Sequence, residues 1–153
     1  MLLSCNSNTP DIDIDDKKDN NIEEQPEQPE IVEPFKEPDT KTTVAAFAGY
    51  VTELEEEYKV TGLSVYKRDY LGKALESLKD ADERFKEESK DKDSFNKKVA
   101  DTSAFLDDAI RAVSITGLTE VTAYFTENQR NRLSYYKNGF TNLKTQVGMY
   151  EIK

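Results

Sequence analysis

The chain has 153 residues, a formal net charge of −10, no histidine, no tryptophan and one cysteine, Cys5. That length supports one folded domain and not comfortably two. Without histidine there is no Ser–His or Cys–His nucleophilic pair, and few routes remain to zinc, haem or iron–sulfur ligation.

The charge is unevenly spread. Residues 1–40 carry 12 of the 31 acidic residues and 3 of the 21 basic ones, a net charge of −9; residues 41–153 are left at −1. Neither part is basic enough to neutralise phosphates, so nucleic acid is not an expected partner. No run approaches the roughly 20 apolar residues of a membrane span.

The chain opens Met1-Leu2-Leu3-Ser4-Cys5. Two leucines, a small residue and a cysteine resemble the end of a bacterial lipoprotein signal. Lipidation of Cys5 is therefore expected, since acyl chains contribute about 0.8 kcal/mol per buried methylene and several together anchor firmly. Only four residues precede Cys5, short of the charged segment and roughly 7–15 apolar residues that such a signal needs.

Asn6 to Asp39 is rich in Asp, Glu, Asn, Gln and Pro, and holds all five prolines: Pro10, Pro26, Pro29, Pro34 and Pro38. Low hydrophobicity with high net charge opposes collapse, and proline favours extended conformers. Residues 1–39 are expected to be an anchor remnant and disordered acidic tether. The acidic run lacks the glycine-containing pattern of a calcium loop.

From Thr40 proline disappears and helical periodicity begins, predicting an all-α bundle of about four helices over 40–153. Val44, Phe47, Val51, Leu54 and Tyr58 mark one face of a first helix, capped by Asp39 or Thr40 and ended by Thr61-Gly62. A second helix is expected from about Ser64, with Leu71, Ala74, Leu75, Leu78, Ala81 and Phe85 inward. Glu87–Asp93 has no apolar residue and reads as an exposed connection. Asp93 or Ser94 can cap a third helix with Phe95, Val99, Thr102, Leu106, Ala109 or Ile110, and Val113 inward, stopped at Thr116-Gly117. A fourth is expected from about Thr119 toward the end, striped by Leu118, Val121, Phe125, Leu133, Tyr136, Phe140, Leu143, Val147 and Tyr150, with a kink, a frayed turn or a polar layer over 128–132 and a local cost of about 1 kcal/mol at Gly139. Val60-Thr61-Gly62-Leu63-Ser64 and Ile115-Thr116-Gly117-Leu118-Thr119 share one plan, consistent with two stacked hairpins or with turn chemistry used twice.

No catalytic constellation is visible. The carboxylate pairs sit at spacings of solvated helix faces, and no glycine-rich phosphate loop occurs, so no enzyme activity, cofactor or metal is expected. Tyr135 and Tyr136 lie about 100° apart around a helix, so both cannot face inward equally. An exposed tyrosine beside Arg130, Arg132 and Lys137 suits protein binding, because Tyr and Arg dominate interface hot spots.

The Cys5-Asn6-Ser7-Asn8 start, the acidic tether and the helical, Lys/Glu-rich remainder resemble the surface lipoproteins of Borrelia spirochetes. In size and helical content the chain is most similar to the relapsing-fever factor H-binding protein A family. The resemblance implies a cell-surface protein, lipid-anchored on the extracellular face of the outer membrane, that binds the host complement regulator factor H, with plasminogen as a second candidate. Lys153 suits plasminogen, whose kringle domains read terminal lysines. The exposed connections around Lys86–Lys98 and 116–120 supply further candidates: Lys86, Lys90, Lys92, Thr116, Gly117 and Thr119. The alternative is a self-associating structural antigen that uses the run Leu133–Tyr150 as its seam. The oligomeric state stays open.

Overall fold

The computed structural model describes residues 33–59, 65–114 and 126–153, with side chains in the middle segment from residue 71 onward. The chain divides into two units, Met1–Pro34 and Phe35–Lys153. Four helices make up the regular structure of the described residues: α1 (Lys41–Lys59), α2 (Val65–Lys86), α3 (Lys92–Val113) and α4 (Glu127–Gly148). The protein is an all-α bundle.

Side-chain pairs fix the topology. Phe47 of α1 meets Phe85 of α2, and Glu55 meets Lys79, so the two helices run in opposite directions. Arg84 of α2 pairs with Asp101 of α3. Asp107 of α3 pairs with Lys144 of α4, and Asn96 with Ile152 just beyond it. Thr43 of α1 reaches Tyr150 while Glu57 reaches Arg132, which closes the ring antiparallel. Each helix packs beside two neighbours, with α3 most extensively against α2 and then α4. Four helices in antiparallel succession give an up-down-up-down bundle.

Local chemistry sets the helix ends, as expected at α1 and in other places at α3 and α4. Asp39 caps α1, its carboxylate accepting from the Lys41 N–H at 3.0 Å. For α3 the cap is Asp91, upstream of the expected Asp93 or Ser94. Asp91 accepts from the Ser94 N–H at 2.7 Å, and Ser94 Oγ accepts from the Asp91 N–H, a reciprocal capping box. The Ser94 N–H, then its hydroxyl, hold the Asp91 carboxyl below its ordinary pKa. The fourth helix does not run through from Thr119. Thr126 caps it in a second box with Gln129, so the polar stretch 128–132 is its first turns and not a kink. It also stops at Gly148, short of the chain end. Beyond it the Asn96 amide donates to the Ile152 carbonyl and accepts from the Ile152 N–H, both at 2.8 Å. The third helix ends at Val113 with Ser114 as its cap, ahead of the expected stop at Thr116-Gly117. The expected stop at Thr61-Gly62 and the repeated pentapeptides lie outside the described residues.

The core follows the predicted stripes of α2 and α3 and that of α4 from Leu133 to Val147, while Val44, Val51 and Tyr58 of α1 and Tyr150 are only partly buried against it. Phe47, Leu54, Leu78, Phe85, Phe95, Leu106, Tyr136, Phe140, Leu143 and Val147 are all fully buried, and Ala109 rather than Ile110 takes the inward place in α3. The apolar surface this removes from water contributes roughly 25 cal/mol per Å². Gly139 has a role that propensity alone does not suggest. Tyr50 of α1 lies against it, and a Cβ at Gly139 would sit 2.5 Å from the Tyr50 ring and hydroxyl. The missing side chain lets Tyr50 also meet Phe140 edge-on at 5.8 Å.

Gly139→Ala should therefore destabilise the fold by about 1–3 kcal/mol through overpacking, despite the better helix propensity of alanine. Gly49→Ala is the control: nothing lies within 4 Å of its Cβ position, and it should stabilise by about 1 kcal/mol. Urea midpoints compare the two, and shifts of the same sign would remove the packing role given to Gly139.

Candidate functional site

The structure does not bring the predicted partner-binding residues together. Lys86, Lys90 and Lys92 surround the α2–α3 connection, and Lys153 lies at that same pole beside the Asn96–Ile152 link. Arg130, Arg132 and Tyr135 sit on the first turns of α4, at the opposite pole. A 22-residue helix is about 33 Å long, so the two groups cannot form one compact site. Thr116, Gly117 and Thr119 lie outside the described residues, as does Cys5.

At the connection pole, Lys86 is paired with Asp82 at 2.9 Å. Lys90, Lys92 and Lys153 are exposed. The connection is only Glu87–Asp91, because α3 begins at Lys92. The expectation that it extends to Lys98 fails, since Lys98 is almost wholly buried.

At the opposite pole, Arg132 and Tyr135 belong to a network between α1 and α4. Arg132 Nε donates to Glu57 at 2.6 Å and its Nη2 donates to the Tyr136 hydroxyl at 3.0 Å. Its guanidinium lies 4.7 Å from the Tyr135 ring centre and 5.0 Å from that of Tyr136, a cation–π geometry. The Tyr135 hydroxyl lies 3.0 Å from both oxygens of Glu53. Tyr136 is buried, while Tyr135 keeps 41% of its surface exposed. The 100° offset between adjacent helical residues thus puts one ring in the core and one outside. Burial, then the Glu57 carboxylate, push the Tyr136 phenol up to about 12 against the opposing Arg132 charge. The hydrogen bond to Glu57 holds the Arg132 guanidinium above its ordinary pKa. Thr52, Glu53, Glu56, Glu57 and Arg132 line an open depression beside this network.

A third cluster was not anticipated. Lys98, in the apolar phase of α3 between Phe95 and Thr102, has a side chain only 3% exposed. Its ammonium donates to Glu37 Oε1 and to the Glu87 carbonyl, both at 2.6 Å. It lies 5.0 Å and 5.7 Å from the ring centres of Phe95 and Phe85. Glu37 Oε2 accepts from the Ser89 N–H at 2.8 Å. Two residues upstream, Phe35 packs on Phe95 at 6.2 Å. The compact unit thus begins at Phe35, ahead of the tether boundary expected at residue 39. Burial disfavours the Glu37 charge, but the bonds from Lys98 and from the Ser89 N–H outweigh it and hold its carboxyl below the ordinary 4.5. The available signal was a cation in a stripe position, which calls for a buried anion.

Among the described residues, no group of three or more Asp, Glu or Cys is placed to hold a metal ion, and no helix is long and apolar enough to cross a membrane. Comparison of the chain with protein-family models, with curated proteins and with solved structures finds no match.

Two pH effects follow. Glu37 has a lowered folded pKa, so its stabilisation is present above pH 4.5 and is lost as pH falls through the folded value. Glu37→Gln should cost about 1–3 kcal/mol at pH 7, less than the 3–5 of a fully buried pair because Glu37 is 27% exposed, and should flatten the acid limb. Tyr136 has a raised folded pKa, so its contribution is complete below pH 10 and is lost toward pH 12. Tyr136→Phe should weaken that alkaline fall. Denaturant stability measured from pH 2 to 12 checks both, and unchanged limbs would contradict these assignments.

Proposed function

We propose that this chain is a binding module of a bacterial cell surface, lipid-anchored through Cys5, and that it captures a host plasma protein without catalysis. Complement factor H is the favoured ligand and plasminogen the second. The Cys5-Asn6-Ser7-Asn8 start and the acidic tether support surface display. Retained factor H would limit complement deposition on the cell.

One observation carries the choice of surface. Tyr135 is one of two exposed large hydrophobic residues among those described, and Arg132 and Glu53 hold it in place. A fixed aromatic ring beside an arginine, on rigid helices, loses little entropy on binding and has hot-spot composition. Lys90 and Lys92 at the other pole are exposed, and long solvated lysines contribute little to affinity. The alternative, a self-associating antigen, has less support. Leu133, Tyr136, Phe140, Leu143 and Val147 of its seam are buried within the bundle.

The test is equilibrium binding of factor H and of plasminogen to the immobilised full chain at physiological salt. Factor H should bind. Tyr135→Ala should weaken it at least about tenfold, or 1.4 kcal/mol, with unchanged circular dichroism, and Lys90→Glu with Lys92→Glu should leave it within about twofold. Failure of both plasma proteins to bind rejects the function. Loss on the lysine variant alone rejects the surface.

A further inference from the structure

Glu37 meets Lys98 as a ligand meets a receptor. The receptor is built entirely from α2, α3 and their connection: the Lys98 ammonium, the Ser89 N–H and the rings of Phe85 and Phe95. One carboxylate oxygen takes the ammonium at 2.6 Å and the other takes the amide at 2.8 Å, so both oxygens of one carboxylate are read. Phe35, two residues earlier, sits on Phe95 at 6.2 Å. In an extended chain, residues two apart share a face, so one short segment delivers ring and carboxylate together.

The segment that fills this site is separable from α1. Asp39, not Glu37, caps that helix through the Lys41 N–H. Withdrawal of residues 35–37 would therefore leave the first helix capped and uncover a buried cation flanked by two aromatic rings. We propose that Lys98, Ser89 and Phe95 form a peptide-binding site for extended segments that carry an aromatic residue two positions before a carboxylate, and that Phe35–Glu37 occupies it in cis as an internal competitor. The site is independent of the Tyr135 surface and of any plasma ligand. A covalently joined competitor acts at an effective concentration in the millimolar range for short links, which keeps the site closed to weaker ligands.

The test uses the full chain with Phe35→Ala and Glu37→Gln and a labelled peptide of residues 31–38, Ile-Val-Glu-Pro-Phe-Lys-Glu-Pro. Fluorescence anisotropy should show saturable binding to this variant and at least about tenfold weaker binding to the unaltered chain. A peptide with glutamine in place of its second glutamate should bind the variant at least about tenfold weaker than the original, as expected when a charge-assisted bond is lost. Absence of peptide binding to a variant with native helical circular dichroism overturns the proposal. So does equal binding to variant and unaltered chain, or equal binding of the two peptides. If the double variant loses helix, Phe35→Ala alone is read by the same three criteria.

Discussion

A single lysine ammonium inside the bundle organises the pole where α2 turns into α3. Moving an ammonium out of water costs several kcal/mol unless it is paired and hydrogen-bonded. Lys98 meets that condition with a carboxylate from the segment before α1 and a carbonyl from the α2–α3 connection. The segment before α1 is thereby brought to the turn between α2 and α3, 61 residues along the chain from Glu37 to Lys98. The aromatic rings beside it supply their faces to the same charge while filling the core on their other sides.

The opposite pole is organised differently. There the charges are at the surface, and Arg132 is shared among two carboxylates and two tyrosines. Each such surface interaction is weak alone. Together they hold the Tyr135 ring in one orientation. The two poles thus differ in kind, with a buried ion pair at one end and a partly solvated aromatic and carboxylate network at the other.

Much of this was legible in the residues. The inward positions of α2, α3 and α4 follow the 3.6-residue period, because a stripe that spaces leucines and phenylalanines by three and four has only one face to bury. Tyr136 in and Tyr135 out follows from the same geometry. The starts of α3 and α4 were less legible, since Asp91 and Asp93, or Thr119 and Thr126, are equally good caps until the reciprocal partner at the third position is weighed. Gly139 and Lys98 were the least legible. Both look like defects in a helix read by itself, and both acquire their purpose from a residue on another segment, Tyr50 in one case and Glu37 in the other. Lys90, Lys92 and Lys153 could be read as exposed, but their place at the opposite end from Arg130, Arg132 and Tyr135 could not, because that depends on the register between helices.

An even number of alternating helices has a geometric outcome of its own. The residues that lead into α1 and those that follow α4 lie at the same pole, where Thr43 touches Tyr150 and Asn96 grips Ile152. A reporter or purification handle grafted after residue 153 would therefore crowd the entry side and leave the tyrosine–arginine end, about 33 Å away, sterically open to large soluble partners.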